Sequence, residues 1–469
     1  MPNPLAYLML LIWPLAMLAI YTRMGAARAL IWSMLLGYML LPPVQASFNL
    51  PAIPELDKFS ITNICALVLT LFVLRERVPV LPANPVGGML LALFVISPFA
   101  TAITNPDPIP VYLGDVPALR AYDAVSYVAG QLIALIPFFL ARRFLGTEEG
   151  LRLLLVSLVT AGLLYSVPML FEGRFSPQLN TWIYGFFQHD FGQSMRGGGF
   201  RPMVFMPHGL WVAFFALMAA VSALYLLREA GPEERPKRIV IWLYLTGVLV
   251  LCRSAGPMVY ALALTPVILF APKRVQLLVA AGLAVLVMTY PLLRGAHLVP
   301  LDRILEAALS FSAERHQSLE YRIINEEILL ARAQEKFWFG WGGYGRALIL
   351  DPYDGRILSV PDGGWIIVLG KYGWLGYGAQ FGLLVLPLIL LGREAILSRG
   401  AAFGRAGCVV ALIYAANLVD LLPNDTIIPL TWLMGGALLA WAEGLAVARR
   451  AQARADWAAQ LPQGRRTVL

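Results

Sequence analysis

LTGVLVLCRSAGPMVYALAL, residues 245–264, sets one guanidinium in the middle of an otherwise uncharged stretch. From Ile239 to Pro272, Arg253 is the only charged side chain. Apolar runs of this kind recur from end to end, and about twenty such residues are what an α-helix needs to cross a hydrocarbon layer. The whole chain is 59% apolar and 14% charged, with a mean hydropathy of +0.70. A soluble protein is nearer half apolar and a quarter charged. The expectation is therefore an all-α, polytopic membrane protein. Its many Gly and Pro residues are tolerable there, because neighbouring helices satisfy the backbone groups they free.

About thirteen spans (12–14) are expected on this length rule. They fall near 5–21, 28–42, 60–74, 86–104, 122–141, 152–171, 204–227, 239–252, 256–271, 275–293, 363–392, 405–421 and 426–446. Lys371-Tyr-Gly373 is a candidate break within the long span 363–392. The chain divides into spans over 1–293 with an outer loop at 172–203, a long loop 294–362, spans over 363–446, and a basic tail 447–469. The first span lacks the basic n-region and A-x-A site of a cleaved signal peptide. Most of the 36 Lys and Arg lie in one set of short loops and the tail, while the remainder concentrate in 294–362. Short basic loops face the cytoplasm and long loops cross regardless of charge. The tail is then cytoplasmic, beside anionic lipid, and an odd span count puts the N-terminus outside.

Both outer segments carry patterning. Leu301, Ile304, Leu305, Ala308 and Leu309 recur at helical spacing, and SLEYRIINEEILLARAQEKF (318–337) does the same. Both read as helices lying on the membrane face with one side buried, roofing a cavity between the spans. Segment 172–203 mixes aromatics with Arg174, Arg196 and Arg201, and with the carboxylates Glu172 and Asp190.

Few residues offer chemistry. Arg253 either snorkels to the interface or faces a cavity and marks a ligand, since an intramembrane Arg costs about 2.5–3.5 kcal/mol even on lenient scales. The following helix start at Ser254–Pro257 favours an anion beside it. Arg322 either pairs with Glu326 one turn on, which stabilises little, or binds a ligand. Asp362 in VPDGGW is either an N-cap or a base at the mouth of the cavity. GWGGYG (340–345) matches G-x-G-x-x-G but has no strand before it, so it is no dinucleotide site. Its glycines instead make a tight turn presenting Trp341 and Tyr344, for sugar stacking or for packing. Three cysteines in apolar runs and four scattered histidines have no metal-ligand spacing. No P-loop occurs, and the basic balance belongs to membrane topology, not to nucleic acid.

RSAG closing a span, YRIINEEILLARAQEKFWFGWGGYG in a long outer loop, and DGGWIIVLGKYGWLGYG opening the next span resemble the O-antigen ligase/polymerase superfamily over roughly residues 240–392. The resemblance implies a class C glycosyltransferase-like enzyme of a bacterial inner membrane, with its active site facing the periplasm. The donor would be a polyprenyl-diphosphate-linked glycan, the acceptor another glycan, and a chain-length regulator a possible partner, with no metal or cofactor. Arg253 and Arg322 match the family arginines that bind the donor diphosphate. Asp362 stands where the ligases carry histidine, which favours a polymerase of the Wzy type over a ligase. Arg196, Arg201, Lys371, Trp341, Tyr344, Glu172 and Asp190 complete the expected substrate-binding set. A transporter of lipid-linked glycan is the alternative from another class; it calls for repeated halves with broken helices, and no repeat is visible.

Overall fold

The structure, a computed structural model, describes residues 1–50, 54–311, 313–398 and 403–460. Each expected apolar segment is helical. In chain order come α1 (Pro4–Arg23), α2 (Ala26–Leu40), α3 (Lys58–Phe72), α4 (Pro85–Ile103), α5 (Ala121–Phe144) and α6 (Glu148–Phe175). A short α7 (Leu179–Tyr184) and a hairpin of β1 (Met195–Arg196) with β2 (Gly199–Phe200) lead to α8 (Gly209–Glu229), α9 (Arg235–Leu251), α10 (Ala255–Phe270) and α11 (Lys273–Gly295). The long loop holds α12 (Leu301–Phe311) and α13 (Ala313–Glu335), before α14 (Gly364–Leu397), α15 (Arg405–Asp420) and α16 (Pro429–Gln460). The expected tail continues α16 as far as residue 460, and residues 461–469 lie outside the described residues.

The chain is an all-α polytopic membrane protein. Among the described residues, eight helices are long and apolar enough to cross a membrane. The other apolar helices, α2, α3, α9, α10 and α15, have 15 to 17 residues. At 1.5 Å per residue they reach roughly 22–26 Å, short of a hydrocarbon core about 30 Å thick. Three boundaries move by five residues or more: α14 runs on to Leu397, α16 to Gln460, and α8 starts later. α8 begins at Gly209 rather than near 204, because His208 caps it: its Nδ1 accepts the Leu210 N–H at 3.1 Å.

Helix position follows burial. α15 is buried around its whole circumference from Ala406 to Leu418, and α8 nearly so, as befits helices at the centre of a bundle. α1 instead points Leu8, Leu11 and Leu15 outward, a contiguous apolar face of the kind that lipid covers. Close crossings use small residues. A Cβ on Gly436 of α16 would run into the Phe138 carbonyl of α5. At the end opposite the long loop, Arg449 donates to buried Glu394 at 2.6 Å, tying α16 to α14.

α14 is broken where Lys371-Tyr-Gly373 predicts. Gly373 has φ +64° and ψ −168°, a conformation open to glycine and costly for other residues. The freed backbone groups are satisfied by the segment FWFGWG (337–342), which lies against the break. Trp374 and Leu375 N–H donate to the Phe337 and Trp338 carbonyls at 2.9 and 3.1 Å. In return Trp341 and Gly342 N–H donate to the Gly370 and Lys371 carbonyls, both at 2.9 Å. The tight turn expected at 340–345 is thus a patch on a broken helix. Gly340, Gly342, Tyr344 and Gly345 all take positive φ there.

α13 buries Asn325, Glu326, Leu329, Leu330 and Ala333 against α14, as its pattern predicts. α12 differs: no described residue on it is buried, and Ile304 and Leu309 are exposed. Its apolar stripe is not covered by this chain.

Candidate functional site

The site is built where the α9–α10 turn, the 172–203 segment, α13 and the α15–α16 turn meet. α9 stops because Arg253 turns left-handed, at φ +52°, which few non-glycine residues do. Its guanidinium is exposed and lies over the β1–β2 turn, donating from Nη1 to the Arg196 carbonyl at 2.9 Å and also to that of Gly197. Gly197 and Gly198 both have positive φ, as a two-residue type I′ hairpin requires. A side chain at Gly199 would collide with the Arg253 guanidinium. Arg253 therefore holds the hairpin.

The next residue reaches deeper. Ser254 is buried and its Oγ accepts from Arg201 Nη2 at 2.6 Å. Arg201 is only 4% exposed, and its Nε has no partner. No carboxylate oxygen among the described residues lies within 4.0 Å of it. Burial chiefly, then the charges of Arg196 and Arg322, push its pKa down to about 10. An uncompensated buried charge costs several kcal/mol, a cost that an anion beside this guanidinium would offset. His208 reports the same positive potential. Burial first, then Arg201, His189, Arg196 and Arg322, drives its pKa down to about 3. It stays neutral and caps α8.

Two buried groups brace this segment. Glu172, 1% exposed, accepts N–H bonds from Leu179, Met203 and Val204 at 2.7–2.9 Å. Its oxygens are committed to backbone, so the expected substrate role gives way to ordering of the loop. Lys58, overlooked in the sequence, donates all three ammonium protons to the Tyr38, Leu41 and Phe205 carbonyls at 2.8–2.9 Å. Asp190 caps the turn 191–194 through Gly192 N–H and is exposed.

Arg322, on α13, does not pair with Glu326. Its Nε lies 3.4 Å from Asp362 Oδ2, and its Nη1 donates to the Pro423 carbonyl and Asn424 Oδ1 at 3.1 and 3.3 Å. Asn424 in turn donates to Asp420 Oδ1 at 3.2 Å, which also accepts from the Tyr260 hydroxyl at 3.3 Å. Glu326 turns the other way, to Arg294 at 3.7 Å and Tyr290. The N-cap of α14 is Gly363, so Asp362 stands one residue ahead of the cap and its carboxylate is directed at Arg322.

The sequence-expected residues thus separate into three places. Arg322 and Asp362 meet, and Arg201 feels the charge of Arg322 while resting on Ser254. Arg253 and Arg322 share no hydrogen-bonding partner: it is Arg201, not Arg253, that occupies the interior position. Lys371, Trp341 and Tyr344 lie apart, around the helix break. Lys371 Nζ sits 4.2 Å from the Tyr127 ring centroid. Tyr344 donates to Asp123 at 2.5 Å, at the start of α5. Trp341 is stacked by Arg332, whose guanidinium carbon is 3.5 Å from the ring centroid. Asp420 and Asn424 escaped the sequence reading, as did the side-chain roles of Ser254, which accepts from Arg201, and His208, which caps α8. Only the polar run NLVDLLPND (417–425), closing an apolar span, hinted at the first two.

Fold and site together define a polytopic helical membrane protein with a buried cationic site at its loop-bearing end. No protein-family model matches the chain, and no curated protein matches it.

Proposed function

We propose that the chain is a membrane glycosyltransferase of the Wzy type, joining polyprenyl-diphosphate-linked oligosaccharide units at the periplasmic face of a bacterial inner membrane. The observation that carries this reading is Arg201, a buried guanidinium with an idle Nε and no counter-ion among the described residues. Arg322, paired with Asp362, adds positive charge that Arg201 feels. A diphosphate supplies the missing negative charge, and arginine meets it with fixed donors and permanent charge.

In the reaction, the acceptor hydroxyl oxygen forms a bond to the anomeric carbon of the donor. The bond from that carbon to the diphosphate oxygen breaks, and its electron pair leaves with the lipid diphosphate. The hydroxyl proton passes to Asp362. Attack opposite the departing oxygen inverts the anomeric centre. Arg201 and Arg322 stabilise the charge that grows on the leaving group, the largest contribution such a site makes. Arg253 holds the β1–β2 turn and so the approach to Arg201.

The broken helix α14 favours a second reading, transport of the lipid-linked glycan, because discontinuous helices line many transporter sites. Purified protein in nanodiscs, given a polyprenyl-diphosphate oligosaccharide, separates the two. Longer glycan together with free polyprenyl diphosphate is the expected result. Growth only on a lipid A-core or protein acceptor would make the chain a ligase. Movement across proteoliposomes with no new glycosidic bond would make it a transporter.

A further inference from the structure

A cationic cavity lies away from Arg201. Its volume is about 310 Å³, and residues 104–110 (TNPDPIP) form one wall. Arg332 and Lys336 at the end of α13, with Trp341 and Arg346, form the other. It shares no lining residue with the Arg201–Arg322 site.

The walls are stiff and tied together. Pro106, Pro108 and Pro110 restrict one wall. Arg346, 2% exposed, bridges to it by donating to the Pro117 and Asp107 carbonyls at 2.8 and 3.0 Å and to the Trp341 carbonyl at 3.1 Å. Asn105 donates to the Gly340 carbonyl at 2.9 Å. A preformed cavity spends little binding energy on ordering itself.

The chemistry inside is mixed. Trp341 offers an indole edge beside Lys336, whose Nζ is 5.3 Å from the ring centroid. Glu335 neutralises Arg332 at 2.6 Å. Lys336 donates one bond, to the Thr104 carbonyl at 2.9 Å, which leaves two of its three protons. Neither Lys336 nor Arg346 has a carboxylate within 4.0 Å among the described residues. Asp107 at the rim can accept from hydroxyls. An indole edge for a sugar ring to pack against, an acceptor for its hydroxyls and an ammonium with free donors suit a sugar that carries an anion. Ligand sites run from about 300 to 1,000 Å³, so this one has room for a sugar or two.

We propose that this cavity is a glycan subsite for an acidic sugar, one bearing a carboxylate or a phosphate. Its role in catalysis rests on the glycosyltransferase reading, and its binding chemistry does not. Arg322 and Arg332 are ten residues apart on α13, roughly 15 Å along the helix. A glycan of a few sugars spans that separation with its diphosphate at one site and its acidic sugar at the other. The subsite would select which repeat unit is joined.

The test uses the full chain in phosphatidylcholine nanodiscs and measures binding calorimetrically. Probes are trigalacturonate, a glucuronate-containing trisaccharide, glucose 6-phosphate, maltotriose and short-chain phosphatidylglycerol. At least one acidic sugar should bind ten times more tightly than maltotriose. That affinity should fall with salt, drop at least tenfold in Lys336→Gln, recover in Lys336→Arg and persist in Arg322→Gln. No binding by any acidic sugar, or equal binding of maltotriose, overturns the proposal. So does displacement by phosphatidylglycerol at lower concentration than by any sugar, which assigns the cavity to a lipid headgroup. If acidic sugar binds and no glycosidic bond forms in the nanodisc assay, the subsite stands and the glycosyltransferase reading falls. Polymer without acidic-sugar binding gives the reverse.

Discussion

Arg322 and Asp362 stand forty residues apart in the chain and 3.4 Å apart in space. One sits on α13 and the other just ahead of α14, so this contact docks the long loop onto the bundle and joins a cation to a carboxylate at the candidate site. A carboxylate one helical turn away, Glu326, was the simpler partner. It is drawn to Arg294 instead, and Arg322, half-buried, is left facing Asp362.

Arg201→Met should separate stability from activity. Removing a buried charge that has no counter-ion relieves a desolvation cost, and such replacements are neutral or stabilising by about 1–4 kcal/mol. Polymer formation should fall at least a hundredfold, on the order of a lost charge-stabilising donor. Thermal unfolding and the nanodisc assay read the two effects. A loss of stability with activity intact would make Arg201 a structural cation.

Asp362→Asn keeps the size of the side chain and leaves the α14 cap, Gly363, untouched. Stability should fall by no more than about 1 kcal/mol, the upper end for a partly exposed ion pair. Turnover should drop on the order of 10²–10⁴-fold, the range for a lost general base. Wild-type turnover would confine Asp362 to holding Arg322.

Arg253→Ala should loosen the β1–β2 hairpin, because both carbonyl contacts to its turn disappear. Hydrogen exchange at residues 195–200 is expected to accelerate, and polymer yield to fall. Arg253→Lys should restore little, since an ammonium does not reproduce the planar fork. Unchanged exchange in the alanine variant would show that the hairpin holds itself.

Glu326 predicts a pH dependence. Burial raises its pKa from 4.5 to about 6, against the opposing pull of Arg294. The folded state therefore binds a proton that the unfolded state has released between those values. The Glu326 contribution to stability should be greatest below about pH 4.5 and decline as pH rises through 6, by about 2 kcal/mol at 1.36 kcal/mol per unit. Glu326→Gln should flatten that slope in melts at pH 4.5–7, and an unchanged slope would assign the dependence to another group.

Gly340→Ala tests the patched helix. A Cβ there meets the Lys371 and Gly373 backbone, and the position has φ +68°. Stability should fall by more than the ~1 kcal/mol of an ordinary helix-glycine change. A native melting temperature would mean that the 337–342 segment tolerates displacement from the α14 break.

What the sequence determined by itself was local and periodic. Runs of apolar residues specified every membrane helix, because in lipid the backbone must bond within its own segment. The spacing over 318–337 specified α13, and Lys371-Tyr-Gly373 marked the break in α14. Asp362 and the arginines stood out because charge is scarce in such a chain. Only the tertiary structure decided their partners. It sent Arg253 to the hairpin and Arg201 to Ser254, committed Glu172 to backbone N–H groups, and closed the α14 break with residues 337–342. Hydropathy says which residues leave water; it does not say which helix ends meet, and a side chain's electrostatic partner is set by that meeting.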